Sequence, residues 1–208
     1  MKDKIFTIVD VETTGASAAV GRVIEIGILR VEKGEVVKTY KSLIDPEQSI
    51  PEFITGMTGI SDAGVAAAPT FASVAEEVLE LFTDTTFVAH NAAFDYGFLK
   101  AEFKRLGYAF TLPRLCTVRL SRSVHPEHRH HNLSALIERH GFSIESRHRA
   151  FDDAQVLWQF LQLLQQTVPA EELESHIHRA TSQVYVPAAH AARSFVYERD
   201  VDHQEPGA

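Results

Sequence analysis

The chain of 208 residues carries 28 acidic and 20 basic residues, which gives a formal net charge of −8 at pH 7. Its apolar fraction of 45% is that of an ordinary globular protein, and its charge excludes a broad basic surface for long nonspecific duplex. The single cysteine, Cys116, excludes an intramolecular disulfide. No apolar stretch approaches the roughly 20 residues that cross a membrane, so we expect a cytoplasmic protein without membrane contact.

The first predicted strand, Ile5 to Glu12, ends in two acids on one side. Its β-branched and apolar residues are typical of a buried strand. Because side chains alternate along a strand, Asp10 and Glu12 point to the same face. Burying two neighbouring carboxylates is costly unless cations compensate them. The alternative reading is a strand end whose acids simply reach solvent.

A third acid follows the predicted strand Thr86 to His90. Apolar residues at helical spacing predict a helix from Ala93 to Leu106, which places Asp95 in the first turn. An acid at this position interacts favourably with the helix N-terminus and can project to the same rim as Asp10. The alternative is that Asp95 only complements the helix dipole, with Asn91 as the N-cap.

A fourth acid lies near the start of the amphipathic helix predicted from Ala150 to Gln165. Asp153 lies in its first turns, and His148 lies in the loop before it. A histidine beside a metal-held carboxylate suits general-base catalysis, because its unperturbed pKa is near 6.5. Asp152 competes with Asp153 for the metal, and the two cannot face the site equally because successive helical side chains point about 100° apart.

Three segments, VDVETTG, HNAAFD and HRAFDDA, together resemble the DEDDh branch of the DnaQ-like 3′–5′ exonucleases. This family includes the proofreading epsilon subunit of bacterial DNA polymerase III, and the resemblance covers about residues 4 to 165. It implies an α/β fold, a ribonuclease H-like mixed β-sheet flanked by helices. It also favours Asp153 over Asp152. The implied metal ligands are Asp10, Glu12, Asp95 and Asp153, and the implied general base is His148.

The resemblance also implies a cofactor and an activity. An all-oxygen donor set favours two Mg²⁺ or Mn²⁺ ions, which would activate water and stabilise the leaving 3′-oxygen. The expected reaction releases nucleoside 5′-monophosphates from single-stranded or frayed DNA 3′ ends, in proofreading or repair. A DNA polymerase or a second nuclease is a possible partner. The alternatives are an RNA or short-oligonucleotide exoribonuclease, and a noncatalytic module that binds nucleic acid or a polymerase.

Candidate substrate contacts surround the first two motifs. The family grips the terminal nucleotide there, although packing is an equal explanation for His90 and Phe94. A rim of arginines between the second and third motifs is our candidate for holding the strand. The nucleotide candidates are Thr13, Thr14, His90, Asn91 and Phe94, and the rim comprises Arg114, Arg119, Arg122, Arg129, Arg139, Arg147 and Arg149.

The remaining elements complete one catalytic domain, residues 1–167, and a C-terminal tail, residues 168–208. We expect one helix in the tail, Ala170 to Ala180, and a flexible end. Cys116 is interpreted as a small buried residue on a helix. The other predicted strands are Val23 to Glu32 and Val36 to Ile44, and the other predicted helices are Phe71 to Phe82, Leu115 to Ser123 and Leu133 to His140.

A dense histidine segment, HPEHRHH, covers residues 125–131. Without cysteines or ordered ligand spacing, a zinc site is the weaker interpretation. The sequence favours a polar loop near the substrate, with Asn132 capping the following helix.

Overall fold

A computed structural model describes residues 4–182 of the chain. Its single six-stranded sheet comprises β1 (Phe6–Thr13), β2 (Val23–Glu32), β3 (Glu35–Leu43), β4 (Thr86–Ala89), β5 (Arg114–Cys116) and β6 (Thr181–Ser182). The strands lie in the order β3-β2-β1-β4-β5-β6. Strand β1 runs antiparallel to β2 and parallel to β4, so the sheet is mixed, as the sequence predicted.

Helices cover both faces of this sheet. They are α1 (Glu52–Thr58), α2 (Asp62–Val65), α3 (Phe71–Glu80), α4 (Ala93–Arg105), α5 (Thr117–Val124), α6 (Leu133–His140), α7 (Ala150–Thr167) and α8 (Ala170–Ala180). Within residues 4–182, none of them combines the length and apolarity needed to cross a bilayer. The α/β class expected from the sequence is confirmed.

The alternation of β1 divides its residues between two apolar cores. Val9 and Val11 belong to the core that contains residues of α3 and α4. Phe6 and Ile8 belong to the opposite core, which contains residues of α5 to α8. Because Asp10 continues the second set along the strand, its side chain points to the face on which α7 packs.

One helix prediction was wrong at its start. Residues Arg114–Cys116 form β5, which pairs in parallel with β4, although Leu115 and Cys116 were expected to begin a helix. Helix α5 begins only at Thr117. A three-residue strand gives too short a pattern to be read locally, and its pairing with β4 outweighs the helical spacing that follows. Cys116 is therefore a partly buried strand residue rather than a helical one.

The helix expected at Ala170 to Ala180 has those bounds in the structure. Leu173 and Ile177 are buried in the core that also contains residues of α5 and α7, and the chain continues directly into β6, which pairs with β5. The division of the chain at residue 167 remains a prediction. The expected flexible end, from residue 183 onward, lies outside the described residues.

Candidate active site

Strand β1 presents the first two acids side by side. Asp10 is partly buried, and Glu12 is only 9% exposed. In the sheet, Asp10 lies opposite Gly27 and Glu12 lies opposite Glu25 on β2. The structure therefore places both acids within the protein, in contrast to the alternative of a strand end reaching solvent.

Helix α4 brings Asp95 onto β1. This carboxylate is 3% exposed, and its Oδ1 atom accepts a hydrogen bond from the backbone N–H of Val11 at 3.2 Å. Val11 separates Asp10 from Glu12, so Asp95 lies beside both. The N-cap of α4 is Ala92, without a side-chain capping bond, so the suggestion that Asn91 caps the helix was wrong. Asn91 instead has a left-handed backbone, φ 66°, in the turn after β4, a conformation that asparagine tolerates.

Helix α7 and the loop before it supply Asp153 and His148. Asp153 is 4% exposed. Donor atoms of Glu12, His148 and Asp153 all lie within 4.8 Å of one another. His148 has a positive φ of 60°, a left-handed conformation that is uncommon outside glycine. The Asp152 carboxylate accepts from the Ser146 backbone instead, at 3.1 Å, so Asp153 is the acid that joins the cluster.

The cluster is electrostatically unfavourable without added cations. Burial raises the pKa of Asp10 well above its usual value, and the carboxylates of Asp95 and Asp153 raise it further. Burial also raises the pKa of Glu12 to about 7, with Asp153 as the next cause. Burial raises the pKa of Asp95 to about 7, although the bond from Val11 opposes that shift.

Arginine side chains partly offset this charge. The guanidinium of Arg147 contacts the carboxylate of Asp153 and lowers the pKa of Asp10, Glu12 and Asp153 against the larger effect of burial. The chemistry of the donor set fits hard divalent cations, because four carboxylates supply the oxygens that Mg²⁺ and Mn²⁺ prefer, with one imidazole beside them and no thiolate.

A glycine that sequence reasoning passed over allows α7 to reach the cluster. A Cβ atom on Gly27 would lie 2.3 Å from the backbone nitrogen of Phe151 and 2.4 Å from the carbonyl carbon of Ala150. No side chain fits that space, so the start of α7 crosses β2 at the position opposite Asp10. The close approach brings Asp153 to the first-strand acids.

An ion pair between the buried Glu25 and the exposed Arg149 fixes the same crossing. Glu25 accepts hydrogen bonds from Arg149 Nη2 at 2.7 Å, Arg149 Nε at 2.9 Å and the backbone N–H of Ala150 at 2.9 Å. Ala150 is the first residue of α7, whose own N-cap residue makes no side-chain capping bond. Glu25 on β2 therefore caps the start of α7. The capped residue, Ala150, lies between His148 and Asp153 in sequence. The sequence signal for this contact was Glu25 itself, an acid among apolar residues at the start of a predicted strand.

The predicted nucleotide contacts at the first motif have structural partners. Thr13 Oγ1 donates to the Gly15 carbonyl at 2.7 Å. Thr14 Oγ1 accepts from the Arg22 backbone at 2.9 Å and from Gln48 Nε2 at 2.7 Å. Both threonines therefore shape the turn that leaves β1 beside the acids.

The candidates at the second motif differ from one another. His90 Nδ1 lies 2.9 Å from Thr117 Oγ1, and burial lowers its pKa to about 4, so its ring is neutral at physiological pH. Its Nε2 atom is buried and has no hydrogen-bond partner in the described part of the chain. Phe94 is partly buried and packs on Phe98, with ring centroids 4.9 Å apart, whereas Asn91 is exposed.

The arginine rim predicted from the sequence separates into structural and surface residues. Arg147 and Arg149 hold acids, Arg114 stacks on Tyr96 with its guanidinium 4.7 Å from the ring centre, and Arg139 donates to the His130 carbonyl at 2.6 Å. Two exposed members on α5 remain close together. Arg119 and Arg122 line a depression of about 320 Å³ together with Arg179 of α8, which the sequence prediction missed.

Residues 7–161 match the exonuclease family of the RNase T type. The chain belongs to this exonuclease family. Its relatives include a PolC-type DNA polymerase III of Clostridium perfringens, 33% identical over 88% of this chain, and the 3′-5′ exonuclease DinG of Staphylococcus epidermidis, 37% identical over 72% of it. The chain spans only 13% and 17% of the lengths of those two relatives.

Solved structures support the ribonuclease H-like fold of the chain. Exonuclease X in complex with 5′ overhanging duplex DNA matches with a TM-score of 0.65 at 23% identity, covering 83% of this chain and 99% of that chain. An exonuclease I structure matches with a TM-score of 0.73 at 19% identity, covering 83% and 43%. At these identities the likeness shows the fold.

Proposed function

We propose that this chain is a metal-dependent 3′–5′ exonuclease that releases nucleoside 5′-monophosphates from single-stranded or frayed DNA ends. The observation that carries the proposal is the convergence of four acids from β1, α4 and α7, with one histidine beside them. Membership of the exonuclease family supports the same reaction class. Proofreading or repair in the cytoplasm is the setting that we infer.

The residues divide the chemistry between them. Asp10, Glu12, Asp95 and Asp153 are the proposed ligands of two Mg²⁺ or Mn²⁺ ions. When bound, such ions lower the pKa of a coordinated water and stabilise the charge on the leaving oxygen. His148 takes the proton from the attacking water, since its imidazole lies beside Glu12 and Asp153.

The nucleotide contacts follow from the residues next to the acids. Asn91, His90 and Phe94 lie in the turn after β4 and the first turn of α4. Thr13 ends β1, and Thr14 begins the turn after it. We infer that these two turns receive the terminal nucleotide. The unpartnered Nε2 atom of His90 supports a polar contact there, which water or substrate would supply.

The exposed arginines provide a path for the preceding strand. Helix α5 begins at Thr117, which contacts His90, and its first two turns carry Arg119 and Arg122. Together with Arg179 they gather positive charge around one depression in a chain of net charge −8. Nucleic-acid phosphates are the polyanions that such a group would hold.

The similar proteins favour DNA as the substrate, with RNA as the alternative. The similar exonucleases named above include structures bound to 5′ overhanging duplex DNA and to a dA16 oligonucleotide, and the PolC-type relatives support a DNA polymerase as partner. The alternative of an RNA substrate rests on a 3′-exonuclease that recognises a histone mRNA stem-loop, with a TM-score of 0.66 at 16% identity.

A time course on matched 5′-labelled DNA and RNA oligonucleotides tests the proposal. We expect a ladder that shortens from the 3′ end with Mg²⁺ or Mn²⁺, no cleavage with EDTA, and faster cleavage of DNA. Asp10→Ala should be inactive. Asp152→Ala is the matched control, since its acid lies one residue from Asp153 and bonds to the Ser146 backbone.

Each other outcome of this experiment favours a different function. Faster cleavage of RNA would replace the DNA assignment and keep the enzyme. Internal cleavage would contradict the exonuclease assignment. No cleavage of either strand by folded, metal-loaded protein would favour the noncatalytic nucleic-acid or polymerase-binding module.

A further inference from the structure

The loop between α5 and α6 brings a second set of metal-ligand side chains together. Donor atoms of His125, Glu127 and His128 all lie within 4.8 Å of one another. We propose that these three residues form a separate site for a tetrahedral transition-metal ion of the Zn²⁺ type. The sequence alone favoured a polar loop without zinc, because ligand spacing in a loop depends on how the backbone turns.

The distances suit a shared metal better than direct ion pairs. Oε1 of Glu127 lies 3.4 Å from His125 Nδ1 and 3.4 Å from His128 Nε2. Charge-assisted hydrogen bonds are shorter, at about 2.7–2.9 Å. Two ligands bound tetrahedrally at about 2.1 Å are separated by about 3.4 Å, which is the spacing found on both sides of the carboxylate.

The backbone of this loop is held in place. The N–H of His125 donates to the Ser121 carbonyl at 2.8 Å, and the N–H of His128 donates to the His125 carbonyl at 3.2 Å. The buried ring of His131 bridges Ser121 Oγ, at 2.8 Å, and the His128 carbonyl, at 2.9 Å. Both candidate imidazoles are therefore carried by a hydrogen-bonded turn that is fixed to the end of α5.

The neighbouring helix orients one of the ligands. His140 of α6 packs against His125, with ring centroids 5.8 Å apart, and it also packs on Phe142 and Phe160. An ion bound by His125, Glu127 and His128 would thus hold the loop against His140 of α6 and the aromatic residues on which His140 packs. Its donor set, two imidazoles and one carboxylate, differs from the carboxylate cluster of the active site and selects a softer cation.

Calorimetric titration of the full chain with Zn²⁺ in excess Mg²⁺ tests this site. The Mg²⁺ competes for the carboxylate cluster, so we expect one equivalent of Zn²⁺ to remain bound. His128→Ala should weaken this equivalent by about 100-fold or more. His130→Ala is the matched control, because that neighbouring side chain is exposed and only its backbone carbonyl is used.

Glu127→Gln keeps the side-chain shape on an exposed position and covers the case in which His128→Ala does not fold. It too should lower Zn²⁺ affinity. Co²⁺ should give the strong visible absorption of a tetrahedral complex in the wild type and in Asp10→Asn, and weak absorption in Glu127→Gln. If Asp10→Asn keeps the strong Co²⁺ absorption, the ion is bound at this site and not at the proposed catalytic one. Unchanged Zn²⁺ affinity in Glu127→Gln and His128→Ala, an equal loss in His130→Ala, or no saturable equivalent in the wild type would overturn the proposal.

Discussion

Buried acids occur in two different settings in this protein. Glu25 and Glu102 are each neutralised by an arginine and a backbone N–H. Glu102, 1% exposed, accepts from Arg22 Nε at 2.9 Å and from the Val23 backbone at 3.1 Å. These acids fasten α7 and α4 to β2, so the sheet and its two flanking helices meet in a fixed arrangement.

The two acids at the end of β1 and Asp95 of α4 have no comparable compensation. Within residues 4–182, no ion pair involves Asp10, Glu12 or Asp95, and burial raises the pKa of all three. An acid with an arginine partner helps to fix the scaffold, whereas the three neighbouring acids without one cost stability until a cation enters. The difference separates the residues that position the site from those proposed to act in it.

The largest expected effect comes from neutralising the centre of the unpaired cluster. Asp10→Asn should lower kcat by about 1000-fold or more, because Asp10 lies among the other three carboxylates. Steady-state release of mononucleotides measures the loss. An active Asp10→Asn protein would contradict the role of this strand, provided that Asp152→Ala behaves as the wild type.

Removing the proposed base should leave the metal site intact. His148→Ala should lower kcat by about 10²–10⁴-fold, the usual contribution of a general base. Its Mn²⁺ affinity should stay close to that of the wild type, since the four carboxylates remain. Loss of Mn²⁺ binding in this variant would show that His148 serves as a ligand instead of a base.

Breaking a paired acid should affect folding before chemistry. Glu102→Ala leaves the partly buried guanidinium of Arg22 with only the more exposed Glu47 as a partner, and should cost about 3 kcal/mol of unfolding free energy. Chemical denaturation measures this cost. At a temperature where the variant is folded, its kcat should remain near the wild-type value, and a kcat loss as large as that of Asp10→Asn would remove the distinction between the two settings.

Neutralising an unpaired acid should instead stabilise the metal-free protein. The pKa of Asp95 is about 7 in the folded state and about 4 in an unfolded chain. The folded state then retains a proton that the unfolded state releases, so the wild type loses stability as the pH rises between these values. Asp95→Asn lacks this loss.

Thermal melts of the two proteins in EDTA should therefore diverge between about pH 4 and pH 7, with Asp95→Asn the more stable at the upper end. Saturating Mg²⁺ should remove the advantage by stabilising the wild type alone. A variant that is less stable than the wild type at pH 7 without metal would show that Asp95 is compensated.

The smallest expected effect concerns the positioning acid Glu25. Glu25→Gln keeps a hydrogen-bonding side chain but removes the charge that caps α7 and pairs with Arg149. It should lower kcat by about tenfold, by loosening Asp153, and should weaken Mn²⁺ binding to a similar degree. Unfolding free energy measured alongside identifies a purely structural role, which would change stability while kcat and Mn²⁺ affinity stayed constant.

The sequence predicted the strands and helices that have long periodic patterns, including β1 and α7. It also predicted that Asp10 and Glu12 share one face and that Asp153 lies in the first turns of a helix. The choice of Asp153 over Asp152 needed the family resemblance, because one helical step separates them. Contacts between segments that are distant in the chain could not be inferred from local patterns. The sequence analysis therefore missed the short strand β5 and the close approach of α7 to Gly27.

The most direct test of the account is anomalous diffraction from crystals soaked in Mn²⁺. The predicted result is two anomalous peaks within ligand distance of the carboxylates of Asp10, Glu12, Asp95 and Asp153, with Arg147 displaced from Asp153. Glu25 and Glu102 should keep their arginine partners and show no peak. The account would be contradicted if the four carboxylates bound no Mn²⁺, or if the metal were found at the paired acids instead.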